Sequence, residues 1–210
     1  MNTYHLDNSR KLYPTLREPE NLSKLFNYFS PMSKIIGLAC IATHGVINLT
    51  QKNTTYFLKE YSLNASKVLN GEILRLLTYP FLHVNLIHLG LNINSLSQIG
   101  PQFEKKWGNL GCAKMITYAI AANLIGEALF SSSNSSSVGL SGVLCGMQGA
   151  LIANKDKHKK IDVFFKNIIS TLAFDILNSI ALETLTGIRI SHIGHISGYL
   201  AGLTFSLLNP

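Results

Sequence analysis

Apolar residues gather into six blocks separated by polar stretches: 35–49, about 82–99, about 112–130, 140–153, about 163–185 and about 193–208. Each is too long for a strand and follows no two-residue alternation, so the pattern predicts helices. A bilayer-crossing helix takes about 20 mostly apolar residues. Several blocks fall short of that or carry polar residues, which a bundle tolerates because its inner helices face protein. Six such helices leave too few polar faces for a soluble α-bundle. The expected fold is an all-α membrane protein: a bundle of six transmembrane helices over residues 35–210, preceded by a polar tail, 1–34. The interval from about 50 to 80 contains YFLKEY and SKVLNGEILRLLTYPF. It is too apolar for a linker and is expected to be a structured first loop with short helices. The low-complexity tract 131–137 (SSSNSSS) is expected to be a flexible lead-in to the fourth helix.

Charge sets the orientation. Apolar residues make up 47% of the chain and charged ones 14%, with a net charge of +7. With the N-terminus in the cytosol, the cytosolic segments 1–34, 101–114 and 154–166 hold 13 of the 18 Lys and Arg residues. That bias follows the positive-inside rule and puts both termini in the cytosol. The basic run 155–160 (KDKHKK) then reads as a solvated loop and not as a nucleic-acid site. The first 30 residues lack an apolar signal-peptide core, so the first helix is expected to act as the insertion signal. Cys40, Cys112 and Cys145 fall in or beside apolar blocks, form no metal spacing or disulfide framework, and read as core filling. Asn53, Asn64 and Asn134 sit in Asn-x-Ser/Thr on the non-cytosolic side, a weak pointer to a secretory compartment.

Candidate chemistry lies in three helices. In the second, Asn85, His88, Asn92 and Ser95 share one face, which must look into the bundle or a wet cavity. Such a stripe serves either as donors for a developing negative charge or as interhelical glue. The fourth helix opens at Gly139-Leu140-Ser141-Gly142, a tight turn that presents a serine at a helix N-terminus. Ser141 is there a nucleophile or simply an N-cap. The sixth carries His195 among Gly194, Gly198 and Gly202, a stripe that allows close backbone approach. Gly142, Gly146 and Gly149 give the fourth helix a matching face. Packed together, the two would bring Ser141 within reach of the His195 imidazole as nucleophile and base; otherwise His195 is a structural interface histidine. His192 competes with His195 from a position nearer the helix mouth. The histidines lack the HExxH spacing and no cysteine joins them, so no metal or other cofactor is expected. His44 reads as packed. Asp175, Glu127 and Glu183 lie in or near apolar blocks, and no spacing ties any of them to His195.

In their joint order these motifs resemble the rhomboid intramembrane serine proteases over residues 72–203. ILRLLTYPFLHVNLIHLGLN is similar to the family's first-loop arginine (Arg75) and second helix, with His88 and Asn92 as His-x-x-x-Asn and His83 as an additional histidine. GPQFEKKWGN resembles the turn after that helix, GLSG the nucleophile motif, and GHISGYLAG the histidine helix. The resemblance implies a Ser141–His195 dyad without an aspartate. It implies an oxyanion hole of His88, Asn92 and the Ser141 backbone N–H, with Gly139, Gly142, Gly198, Gly202, His83 and Arg75 in support. It implies cleavage of single-pass transmembrane proteins within the lipid bilayer, with neither metal nor nucleic acid involved. It also implies a site open to the non-cytosolic side and the eukaryotic endomembrane branch, hence the Golgi or ER, the alternative being the plasma membrane. Where many members carry an aromatic four residues after the serine, stacked on the histidine, this chain has Cys145; a common Trp-Arg in the first loop is here Leu74-Arg75. A catalytically inactive relative that binds transmembrane helices for trafficking or degradation is the second reading, and a small channel or transporter built on the second-helix stripe the third.

Overall fold

The computed structural model describes residues 30–50, 54–156, 161–186 and 190–209. Positions 1–29 of the expected tail, Asn53, Arg189 and 157–160 of the basic run lie outside them. The described residues are helical, in the order α1 (Pro31–Leu49), α2 (Thr54–Tyr61), α3 (Ala65–Leu69), α4 (Leu74–Thr78), a 3-10 turn (Tyr79–Phe81), α5 (Leu86–Phe130), α6 (Ser141–Asp156), α7 (Ile161–Thr186) and α8 (His192–Leu208). The fold is all-α. Each predicted block lies mostly in helix, the second starting at Leu86 and not at about 82, and α2, α3 and α4 supply the structured first loop.

Three expectations need correction. Helix α1 starts at Pro31, ahead of the apolar block, because Glu104 accepts from the otherwise free N–H groups of Met32 (3.1 Å) and Ser33 (3.3 Å). Free N–H groups at a helix start need such an acceptor. Second, the turn between the second and third blocks is shorter than GPQFEKKWGN, and α5 comprises two helices that meet directly at a kink. The turn reduces to Gly108, whose φ of 65° and ψ of −174° only glycine adopts at ease. The rest of GPQFEKKWGN is helix, held by Phe103, Trp107 and Phe205, whose ring centroids lie 4.6–5.5 Å apart. The Trp107 indole also donates to the Asn209 carbonyl (2.8 Å) at the end of α8.

Third, the serine tract is tethered. Leu63 and Ser137 exchange two backbone hydrogen bonds of 2.9 Å, and Asn64 Nδ2 donates to the carbonyls of Ser133 (2.8 Å) and Ser135 (2.7 Å). Asn64 Oδ1 meanwhile caps α3 by accepting from the Lys67 N–H. Its amide is therefore buried and committed, which removes Asn64 from the glycosylation candidates; Asn134 is exposed.

The core sits where α6 and α8 cross between the limbs of α5. A Cβ on Gly198 would overlap the Gly142 carbonyl, and one on Gly202 would overlap the Gly146 carbonyl. These helices touch backbone to backbone, as the paired glycine faces predict. Gly194 stands outside that seam, since a Cβ there would meet only Ser191 of its own helix start. Large apolar side chains on the outside include Ile35, Ile41 and Leu49 of α1, Ile125 and Leu129 of α5, Ile169 and Leu177 of α7, and Leu200 and Leu207 of α8. Among the described residues, α1 is long and apolar enough by itself to cross a membrane.

Candidate active site

Ser141 is the first residue of α6, and the chain reaches it through Gly139, whose φ is 103°. The Gly139 N–H donates to the Tyr79 carbonyl (2.9 Å), and the His88 ring lies flush against its Cα. A Cβ at position 139 would stand 2.8 Å from His88 Cε1. Gly142 fits for a similar reason, because the side chain of Asn123 occupies the space a Cβ would take. Asn123 in turn donates to the Tyr79 hydroxyl (3.0 Å). Burial pushes the Tyr79 phenol up, so it stays neutral as Asn123's acceptor.

His195 lies one turn inside α8. That helix is capped by Ser191, whose Oγ accepts from the Gly194 N–H (3.0 Å) and donates to Glu127 (3.1 Å). Glu127, nearly fully buried at the end of α5, also accepts from the Ser137 hydroxyl. One carboxylate thus joins the lead-in of α6 to the cap of α8 and sets the two helix starts side by side.

Asn85 caps α5 by accepting from the His88 N–H (2.9 Å), and Asn92 Nδ2 donates to the His88 carbonyl (2.9 Å). His88 Nδ1 and Asn92 Oδ1 are buried without a partner among the described residues. Fully buried His83 packs its ring 5.0 Å from that of His88 and is anchored at Nδ1 on the Phe81 carbonyl (3.1 Å). Arg75, also buried, sits in the first loop away from this cluster. It pairs with Glu72 (2.6 Å) and donates to the carbonyls of Lys59 (3.0 Å) and Ser62 (2.9 Å), tying α2 to α4.

Ser141, His195, His88, Asn92 and Ser95 line one cavity of about 220 Å³, together with Cys145 and Asp175. His192 lies off it, with Nε2 3.7 Å from the Glu183 carboxylate, which also accepts from the Ile190 N–H. Of the two competing histidines, His195 is the one that shares the cavity with Ser141. Asp175, named in the sequence but tied to nothing there, has its Oδ2 2.9 Å from His195 Nδ1. Its signal was an acid inside an apolar block, but a separation of 20 residues has no helical meaning. Glu127 was left without a partner for the same reason, and Asn123 was not singled out at all.

Cys145, Asp175 and His195 hold their ligand atoms within 4.8 Å of one another. Sulfur, oxygen and nitrogen together form a set that zinc accepts. Two ligands on a tetrahedral zinc, at ~2.0–2.1 Å from the ion, would stand about 3.3 Å apart. The 2.9 Å between Asp175 and His195 fits a shared proton better.

The structure therefore defines a helical bundle in which a serine-bearing and a histidine-bearing helix, locked by glycines, share a polar cavity with an Asn/His pair. The Rhomboid domain model matches residues 70–209, and the chain belongs to the rhomboid family of integral membrane proteins. It is similar to rhomboid protease GlpG of Yersinia pestis (strain Pestoides F), 26% identical over 186 residues, which are 87% of this chain and 64% of that protein. It is also similar to rhomboid protease GluP of Bacillus subtilis (strain 168), 28% identical over 187 residues, 87% of this chain and 34% of that protein. The chain thus spans under two thirds of the length of these relatives.

Proposed function

We propose that this protein is an intramembrane serine endopeptidase. The observation that carries the reading is the single cavity lined by Ser141, His195, His88 and Asn92, in a chain of the rhomboid family. Ser141 Oγ attacks the scissile carbonyl carbon while His195 Nε2 takes its proton. The carbonyl oxygen becomes an oxyanion that accepts from the Ser141 N–H, the second N–H of the Asn92 amide and the His88 ring. His195 then protonates the departing amine as the C–N bond breaks, leaving an acyl-serine. A water that gives its proton to His195 hydrolyses this ester and restores Ser141. No metal or organic cofactor takes part.

The six apolar blocks of residues 35–210 cross the bilayer as six helices, with α5 supplying two of them at its Gly108 kink. The outward Ile, Leu and Val side chains support this, because lipid covers such surface at no hydrophobic cost. Both termini face the cytosol by the distribution of Lys and Arg, and the site opens on the opposite side, at the Golgi or ER. Substrates are single-pass transmembrane segments that unwind locally, since a helical peptide bond hides its carbonyl.

The test is fluorophosphonate labelling of the detergent-purified chain beside Ser141→Ala and His195→Ala. Labelling of the wild type that both substitutions abolish is the expected result. Folded wild type that takes no label overturns the reading in favour of a non-catalytic protein that binds transmembrane helices.

A further inference from the structure

The structure assigns Asp175 as a positioning residue for His195, which turns the expected serine–histidine pair into a serine–histidine–aspartate relay. The assignment rests on the proposed peptidase reading and extends it to a residue for which the sequence offered no role. Asp175 Oδ2 lies 2.9 Å from His195 Nδ1. The His195 side chain is 10% exposed and the carboxylate 27%, so the contact is largely screened from water and the acid keeps a wet edge on the cavity.

An imidazole carries two nitrogens, and the partner of one decides which keeps the proton. A carboxylate at Nδ1 holds the proton there and leaves the Nε2 lone pair free for the Ser141 hydroxyl. The same carboxylate steadies the imidazolium that forms when Ser141 gives up its proton. Among the described residues, His195 Nδ1 makes no other hydrogen bond or ion pair, and Cys145, beside it in the cavity, is no ring on which an imidazole could stack. Asp175 belongs to α7, whereas Ser141 and His195 belong to the glycine-locked pair α6 and α8. The third member of the relay therefore comes from a separate helix.

The test compares wild type, Asp175→Asn, Asp175→Ala and Ser141→Ala in detergent. It reads the fluorophosphonate labelling rate, kcat and KM on a transmembrane peptide, and the unfolding midpoint. Both Asp175 variants are expected to lower kcat and the labelling rate by about 10²-fold, on the scale of a general base losing its orientation, with KM and midpoint unchanged. Wild-type labelling rates in Asp175→Asn overturn the assignment and leave the peptidase reading intact. An unlabelled wild type overturns both. Nitrogen-15 NMR of histidine-labelled wild type reads the tautomer directly and does not depend on a variant folding. Neutral His195 protonated at Nδ1 supports the relay, and protonation at Nε2 overturns it.

Discussion

Helices α6 and α8 are joined by backbone, whereas α7 is joined to them by little more than side chains. In the seam, Gly198 and Gly202 meet the Gly142 and Gly146 carbonyls, and Gly149 meets the Tyr199 main chain, so closely that a methyl group on any of the three has no room. Among the α7 side chains described, Ile168 and Ser179 are buried, while Ile169, Leu177 and Ile180 point outward. Yet α7 holds Asp175 against the histidine that the seam positions. Ser141 and His195 are set by packing that leaves no room for an added methyl group. Asp175 reaches His195 through one polar contact from a lightly packed neighbour.

The largest effect is expected at the seam. Gly202→Val drives a branched side chain into the Gly146 carbonyl and should cost about 3 kcal/mol of stability, on the scale of overpacked cores. Thermal unfolding in detergent measures it, and an unchanged midpoint would break the contrast at its root. Next comes Glu127, the link between the two helix starts. Glu127→Ala leaves the Ser137 and Ser191 hydroxyls without their buried acceptor, at about 2 kcal/mol. Glu127→Gln keeps an acceptor and should lose less than half of that. Equal losses in the two variants would mean that charge, and not hydrogen bonding, makes the link.

The smallest effect on stability is expected on α7. Leu177→Ala, at 66% exposure, should stay within about 0.5 kcal/mol of the wild type, as exposed substitutions do. Beside it, Asp175→Asn should leave the midpoint unchanged while slowing the reaction about 10²-fold. A helix that barely contributes to stability would then govern rate through a single carboxylate. If Leu177→Ala unfolds as readily as Gly202→Val, α7 belongs to the core and the distinction disappears.

The parts of this fold legible in the sequence are those with local periodicity. The helices, the glycine faces of α6 and α8, and the stripe of His88 and Asn92 all obey the 3.6-residue repeat. So does the choice of Ser141, because a serine between glycines at the start of an apolar run has few uses. Less legible were segments whose conformation depends on a distant partner. The tract 131–137 has a linker's composition, but Leu63 and Asn64 hold it from 69 to 74 positions away. Helix α1 starts early because Glu104, more than 70 residues on, supplies its cap.

The sequence by itself determined which segments are helical, which faces approach closely and which serine and histidines are candidates for chemistry, because each follows from side-chain type and spacing along one helix. Only the tertiary structure placed His195 in the cavity with Ser141 and His192 beside Glu183, joined Glu127 to two helix starts, and brought Asp175 to the imidazole. Those outcomes depend on the rotation and lateral placement of one helix against another. That geometry arises from packing across the bundle and leaves no periodic trace in the chain.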